Sequence, residues 1–260
     1  MEERGFSNYY ACPMIAKGKI LGIVEVFKRE KFEEEEWIEF LEALVGQISM
    51  AFENAKLLFE LQSTKEDLLL AYDQTIEALS YALDLRDKET EGHSQRVTEL
   101  TIKIAERLGI RGEKLRYIKW GALLHDIGKL GIPDSILLKP GPLNDEEWEI
   151  MKKHCEYGYN MLKEIEFLSP ALEIPLYHHE RWDGSGYPKG LKGEEIPLPA
   201  RIFAIVDVWD ALTSERPYRP PFSKEKALEY IVSQSGKHFD PEIVKVFLEV
   251  IEEEVIKKKK

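Results

Sequence analysis

The sequence predicts a mainly α-helical protein, with a small α/β segment first, then a long helix, then a helical bundle. Three observations carry this prediction. Apolar residues recur every three or four positions from residue 34 to residue 85, without an intervening proline. From residue 86 onward, helical segments alternate with turn-forming residues, and no strand pairs are evident. Runs with the composition of β-strands are concentrated in residues 9–28.

Composition limits the classes of function. The 260 residues are 43% hydrophobic and 32% charged, and the formal net charge is −12. A DNA or RNA polymer needs a positive protein surface, so this charge argues against such a partner. No apolar run approaches about 20 residues, the first residues lack a signal-peptide pattern, and the two cysteines lack metal-type spacing. We therefore expect a cytoplasmic location without membrane contact.

The amino-terminal segment predicts a hairpin followed by a helix. Two β-rich runs in residues 9–28 meet at Lys17-Gly18-Lys19, and four glutamates precede Trp37, where a helix dipole favours acids. This order of elements over residues 1–60 resembles the closing half of a GAF domain, a small-molecule sensor fold. A complete GAF domain is more than twice as long, so the resemblance implies a truncated domain whose ligand pocket is absent.

The long helix, residues 34–85, is predicted to carry a continuous apolar stripe. Few neighbours in sequence are available to cover it, which predicts a parallel homodimer with this helix as its spine. The alternative is a helix folded back on its own domain. The stripe consists of Leu41, Leu44, Ile48, Phe52, Ala55, Leu58, Leu69, Tyr72, Ile76, Leu79 and Leu83.

Five further helical segments carry polar residues on their predicted inward faces. Thr90 is the expected N-cap of the first, and Asn144 with Glu147 forms a capping-box variant that opens the third. Final helices from Ser223 and from Asp240 read as packing elements. The helices predicted to carry polar residues start at Thr90 (to Gly109), Glu113 (to Lys129), Asn144, Pro170 (to His179) and Pro199 (to Leu212).

Five of the six histidines fall on these inward faces. One inward histidine is more often a core residue hydrogen-bonded to a carbonyl, but five beside two inward aspartates predict a metal centre. Cys155 falls beside the His154 face, which disfavours a zinc-thiolate site. Mixed imidazole and carboxylate ligands suit iron or manganese better than zinc. The residues concerned are His93, His125, His154, His178, His179, Asp126 and Asp207.

The His125-Asp126 pair is the starting point of this prediction. On a helix, adjacent side chains project about 100° apart, so the pair can hold one ion, or the carboxylate can bridge two. Taken alone, the pair is as typical of a buried histidine hydrogen-bonded to a capping aspartate as it is of two metal ligands. The other histidines decide between the two readings.

Two motifs carry a specific family resemblance. The segments 125–129 (HDIGK) and 178–188 (HHERWDGSGYP) look like those of the HD-GYP family of HD-domain phosphohydrolases. The similarity runs from about Tyr72 to Ile251. It implies an all-α domain over residues 86–260 that hydrolyses cyclic di-GMP to the linear dinucleotide pGpG and, in some members, to GMP.

The resemblance also implies roles for individual residues. The inward histidines and aspartates would be the metal ligands, with Asp126 bridging two ions. Glu89 lies four residues before His93, as in the trinuclear, iron-containing members, so two or three ions are expected. A solvated acid at a helix start is the alternative for Glu89.

Expected substrate contacts lie on three segments. Lys129 would bind a phosphate oxygen or protonate the leaving group, and Asp210 would position water or a proton. Asp183 and Tyr187 would shape the pocket, although Tyr187 is as typical of a loop anchor. Arg216 and Arg219 resemble a second phosphate clamp, since forked guanidinium groups suit phosphate.

The expected function is therefore metal-dependent hydrolysis of cyclic di-GMP under the control of the amino-terminal sensor region. Two alternatives remain open. The enzyme acts on another cyclic nucleotide or dinucleotide, or the chain is a catalytically weak cyclic di-GMP receptor. A complete ligand set disfavours the receptor.

Overall fold

A computed structural model describes residues 6, 8–29, 35–87, 92–215 and 220–258. The described residues form ten α-helices and one two-stranded sheet, so the predicted helical fold class is confirmed. The chain divides into two compact units, Met1–Ala71 and Tyr72–Lys260. None of the described helices has a hydrophobic stretch suited to crossing a bilayer.

The first unit contains the predicted hairpin. Strands β1 (Asn8–Ala16) and β2 (Lys19–Lys28) pair antiparallel. The two residues between them, Lys17 and Gly18, have φ angles of 50° and 75°. Positive φ at both positions gives the turn the twist that joins adjacent antiparallel strands. The hairpin is confirmed, whereas the resemblance of residues 1–60 to a GAF domain stays a prediction.

Helix α1 spans Glu35–Asp87, close to the predicted residues 34–85. Within the first unit its buried face consists of Leu41, Val45 and Ser49. Much of the predicted apolar stripe lies outside this face. Four of its members are 42% to 67% exposed in the single chain: Leu44, Ile48, Phe52 and Leu58.

The second unit contains residues 72–87 of α1 and nine further helices. Tyr72 stacks on Phe167 with ring centroids 4.1 Å apart, and Trp120 meets both rings edge-on. The helices are α2 (His93–Arg107), α3 (Glu113–Leu123), α4 (Asp134–Leu137), α5 (Asp145–Lys152), α6 (His154–Leu162), α7 (Glu173–Tyr177), α8 (Leu198–Thr213), α9 (Lys224–Ser233) and α10 (Pro241–Lys258).

The core of this unit lies between α2, α3, α8, α9 and α10. Phe203 and Ile205 of α8 are fully buried, as are Ile104 of α2 and Phe247 of α10. Helix α8 is therefore the central element, and α2 packs directly on it. This arrangement places one end of α2 and the middle of α8 beside the segment that follows α3.

Two helix starts agree with the sequence. The Asn144 side chain accepts from the Glu147 backbone N–H, and the Glu147 side chain accepts from the Asn144 N–H, which completes the predicted capping box. The Ser223 side chain likewise accepts from the Lys226 N–H at the start of α9. Both caps satisfy backbone donors that the first helical turn leaves unpaired.

Two helix boundaries differ from the prediction. Helix α2 follows Gly92, at φ 72°, as its N-cap, whereas Thr90 lies outside the described residues. Helix α3 ends at Leu123 instead of Lys129, and a 3₁₀ helix follows at Ile127–Gly131. His125 and Asp126 therefore lie in a turn, and the reasoning that placed them on a helix was wrong.

Candidate metal centre

The histidines lie at the ends of helices. His93 is the first residue of α2 and His154 the first of α6, while His178 and His179 directly follow α7. His125 lies in the turn after α3. Five histidines from four segments therefore converge without any of them lying in a helix interior.

Two sets of donor atoms result, and within each the atoms lie no more than 4.8 Å apart. Rings of the two sets are neighbours, since the His125 and His178 centroids are 5.4 Å apart. All seven expected His and Asp ligands are brought to this centre, six of them through these two sets. The first set is His93, His125 and Asp207, and the second is His154, Cys155, His178 and His179.

The orientation of the rings is set by hydrogen bonds at Nδ1. His125 Nδ1 donates to the Ala122 carbonyl at 2.8 Å, His154 to Met151 at 2.8 Å, and His178 to Ile174 at 3.0 Å. A carbonyl oxygen only accepts, so Nδ1 must carry the proton in each ring. In a neutral imidazole Nε2 is then a lone-pair donor, as outer hydrogen bonds arrange it in metal-binding histidines.

The Nε2 atoms of His154 and His178 face each other at 3.4 Å. Burial lowers the pKa of both rings, that of His178 to well below its ordinary value, so both are neutral near pH 7. Two lone pairs at this distance repel each other unless a cation lies between them. This contact is the clearest sign that the residues fit a metal ion.

Asp126 lies between the two sets. Its Oδ1 is 3.4 Å from His154 Nε2 and 3.9 Å from His178 Nε2, whereas its Oδ2 is 3.0 Å from His125 Nε2. One carboxylate oxygen thus faces each donor set. The turn after α3 therefore places Asp126 between the two donor sets, and its role as a bridging ligand stays a prediction.

Charges around Asp126 are tightly coupled. Burial acts to raise the pKa of Asp126, but Lys129 and His125 hold it well below its usual range. Burial acts to lower the pKa of His125, yet the Asp126 carboxylate raises it to about 9. An ion at His125 Nε2 would compete with a proton for the same lone pair.

Gly128 allows this turn to approach α6. A Cβ on Gly128 would lie 1.8 Å from the His154 carbonyl oxygen and 2.5 Å from the Gly158 backbone nitrogen. Only glycine leaves room for this backbone contact. The contact brings the turn that carries Asp126 against the helix start that carries His154.

Lys129 forms ion pairs with two carboxylates. Its Nζ is 2.7 Å from Asp126 Oδ2 and 3.1 Å from Asp87 Oδ2, and the Asp87 side chain is only 3% exposed. Arg86 binds the carbonyls of Lys129 and Ile132. The last turn of α1 thus contacts the segment after Asp126. The ion pair between Asp87 and Lys129 was not predicted from the sequence, because Asp87 resembles the other acids near the end of α1 that are expected to be solvated.

The Asp210 carboxylate is bound by His93 and Arg96, whereas we predicted that it faces the metal centre. Its Oδ2 accepts from His93 Nδ1 at 2.8 Å, and its two oxygens accept from Arg96. Burial acts to raise the pKa of Asp210, but its bonds to His93 and Arg96 lower it far more. These bonds make Asp210 an orienting group for His93, which differs from the expected role of holding water or a proton. Arg96 was not identified from the sequence.

The glycine-rich loop is held by a buried carboxylate. Glu180 is 2% exposed and accepts the backbone N–H groups of Lys189, Gly190 and Leu191 at 2.7 to 3.1 Å. A Cβ on Gly186 would lie 2.4 Å from the Arg181 nitrogen, so this position also needs glycine. Sequence reasoning missed Glu180, although it directly follows the paired histidines.

Tyr187 lies against the second donor set. Its ring stacks on His179 with centroids 4.7 Å apart, and burial raises its pKa. Asp183 is exposed and accepts from the Ser185 N–H and hydroxyl, an Asx-type turn that stabilises the loop. Three other predicted site residues, Glu89, Arg216 and Arg219, lie outside the described residues.

Cys155 lies nearer the centre than predicted. It is fully buried, and its Sγ is 3.4 Å from His154 Nε2. Burial raises the pKa of the thiol. Sequence reasoning had set Cys155 aside because it treated His154 as part of a longer helix, whereas α6 begins at His154 and turns both side chains inward.

Comparison with known proteins gives one family match and several relatives. A family model described as HD domain matches residues 77–243. A cyclic di-GMP phosphodiesterase of Thermotoga maritima is 46% identical over 204 residues, which cover 76% of this chain and 55% of that protein. The 3'3'-cGAMP-specific phosphodiesterase 2 of Vibrio cholerae is 41% identical, over 81% of this chain and 40% of that protein. The chain thus spans about half the length of the relatives it matches.

Solved structures show the same fold. A cyclic GMP-AMP specific phosphodiesterase of Vibrio cholerae aligns with TM-score 0.55 and 25% identity, over 68% of this chain and 48% of that one. An HD-GYP-type protein of Bdellovibrio bacteriovorus aligns with TM-score 0.52 and 17% identity, over 94% of this chain and all of that one. The second likeness concerns the fold alone.

Proposed function

Because the chain belongs to the HD-domain family, we propose that its second unit hydrolyses a phosphodiester bond of cyclic di-GMP at a centre of two or more metal ions. The observation that carries the proposal is the convergence of lone pairs, above all the His154 and His178 Nε2 atoms 3.4 Å apart. The HDIGK and HHERWDGSGYP motifs support the finer assignment to the HD-GYP members of the family.

The donor atoms suit two divalent ions that share Asp126. His93, His125 and Asp207 would hold one ion, and His154, His178 and His179 the other. Bound ions would neutralise phosphate charge and supply a hydroxide nucleophile near neutral pH. Imidazole with carboxylate favours iron, with manganese as the alternative. Glu89 would add a ligand for a third ion.

The remaining residues would act on the substrate or on the ligands. Lys129 supplies a cation beside Asp126, where it would bind a phosphate oxygen or give a proton to the leaving oxygen. Asp210 holds the His93 ring in place. Tyr187 and Asp183 would line the nucleotide pocket, with Arg216 and Arg219 as a second phosphate clamp.

A second candidate substrate is 3'3'-cGAMP. It is favoured by the relative of that specificity, which is 41% identical to this chain. Both substrates contain the same phosphodiester linkage, so the metal centre does not distinguish them. A cyclic di-GMP receptor without catalysis is the weaker alternative, since the described residues bring all seven expected His and Asp ligands together.

The test is metal analysis together with hydrolysis by anaerobically purified protein. We expect at least two ions of iron or manganese for each chain and conversion of cyclic di-GMP to pGpG, measured by chromatography. Cyclic di-GMP, 3'3'-cGAMP and cyclic di-AMP are compared at equal concentration. Faster turnover of 3'3'-cGAMP would reassign the substrate, and fully metallated protein without turnover of any of the three would reject the enzyme.

The proposal includes a homodimer formed through α1, with control by the amino-terminal region. Its support is the apolar stripe that the single chain leaves exposed, including Leu58 at 67%. Burying this stripe against the same stripe of a second chain would remove apolar area from water. The dimer would be stabilised by about 25 cal/mol for each Å² of apolar surface buried. Continuity of α1 from one unit into the other supports control of the second unit through this helix.

Sedimentation at low micromolar concentration tests the dimer. We expect the unchanged chain to sediment as a dimer and Leu58→Lys to shift it strongly towards monomer, because a charge would enter the apolar interface. Glu60→Ala is the matched control on an exposed position of the same helix and should leave the dimer intact. A monomeric unchanged chain would disprove the dimer.

A further inference from the structure

The second donor set contains a sulfur atom as well as nitrogens. Cys155 is the second residue of α6 and has no exposed surface. Its Sγ lies 3.4 Å from His154 Nε2 and within 4.8 Å of a ring nitrogen of both His178 and His179. Four donors from two segments of the chain therefore surround one point.

Two of the distances between these donors match those around a single ion. Zinc binds nitrogen at about 2.0–2.1 Å and sulfur at about 2.3 Å in tetrahedral geometry, so neighbouring donors lie roughly 3.5 Å apart. The His154 to His178 nitrogen distance and the His154 to Cys155 distance are both 3.4 Å. The sulfur is therefore as close to His154 Nε2 as the His178 nitrogen is.

We propose that Cys155 is a sulfur ligand of the ion held by His154, His178 and His179. This inference rests on the proposed metal centre and specifies its cofactor class. On binding, the sulfur–hydrogen bond breaks, a sulfur–metal bond forms, and the proton passes to solvent.

The two ion positions would then differ in chemical character. The first set, with two imidazoles and Asp207, offers ligands of hard to intermediate character. The second, with three imidazoles and a thiolate, is softer and selects zinc or ferrous iron over manganese. Asp126 would join two unlike ions, with one oxygen facing each set.

Cobalt substitution provides the test, because a thiolate bound to Co²⁺ gives a near-ultraviolet charge-transfer band that imidazole and carboxylate ligands do not. The metal-free full chain is loaded anaerobically with Co²⁺, and the spectrum is recorded together with bound cobalt. We expect the band in the unchanged chain and its loss in both Cys155→Ser and Cys155→Ala. The affinity for the cobalt ion at the second donor set should also fall by about tenfold or more in both variants.

The chain contains a matched control, since it has two cysteines. Cys12 is buried in β1, in the other unit, and Cys12→Ser should keep the full band. Two bound cobalt ions without the band, or a band that survives both Cys155 variants, would overturn the sulfur ligand and leave the metal centre standing. A thiol that only donates a hydrogen bond to His154 Nε2 gives this result. Failure to bind cobalt at all would reject the metal centre itself.

Discussion

Replacing Asp126 by alanine is expected to remove both bound ions and to abolish hydrolysis. Asp126 directs one oxygen to each donor set, so under the proposed function its loss would leave the two sets without a shared ligand. Metal ions stabilise phosphoryl transition states by several kcal/mol, and about 1.4 kcal/mol corresponds to tenfold in rate. We expect a loss of at least roughly 1000-fold, measured as pGpG formation with metal content determined on the same sample.

The control is Asp145→Ala, which removes an exposed acid from the first turn of α5. It should leave metal content and turnover unchanged. A folded Asp126→Ala protein that keeps two ions and normal turnover would show that Asp126 is a structural partner of His125. Near-ultraviolet circular dichroism establishes that the variant is folded before the comparison is made.

Replacing Gly128 by alanine is expected to destabilise the second unit and to weaken metal binding together. The added methyl group would meet the His154 carbonyl oxygen at 1.8 Å, and this neighbour is backbone that has little freedom to move. Overpacking of this kind costs about 3 kcal/mol or more. Separation of the turn from α6 would also move Asp126 away from His154, so both metal content and the thermal midpoint should fall.

Gly46→Ala is the matched control for this substitution. Gly46 lies within α1, and a Cβ there meets no atom within 4 Å. Alanine in a helix interior is favoured over glycine by about 0.5–1 kcal/mol, so this variant should be slightly more stable and bind metal normally. An unchanged midpoint and metal content in Gly128→Ala would contradict the close approach of the turn to α6.

The helical class, the hairpin and the capping box could be predicted from the sequence, because each has a local signature. The convergence of five histidines and two aspartates could be predicted too, whereas their role as metal ligands stays a prediction. Glycines and prolines mark the ends of segments, and the histidines stand beside those ends. Helix α3 was predicted too long, since the residues up to Lys129 continue an apolar pattern. The approach of Gly128 to α6, a contact distant in sequence, was not evident from that pattern.

The residues that the sequence did not reveal act through contacts distant in the chain. Asp87 meets Lys129, Arg96 meets Asp210, and Glu180 meets the backbone of a loop that folds back on it. Each is a common residue type without a distinctive spacing. Their roles depend on which helices pack together, and single-sequence patterns do not specify this packing.

The contact between the end of α1 and Lys129 has a thermodynamic consequence. Lys129 shares its ammonium group between Asp87 and Asp126, so anything that draws Asp126 away changes the strength of the Asp87 bond. Energetic coupling between two positions is reciprocal. If ions bind at Asp126, occupancy of the centre and the order of the last turn of α1 would therefore affect each other by the same free energy. The helix would then report the state of the site as well as act on it.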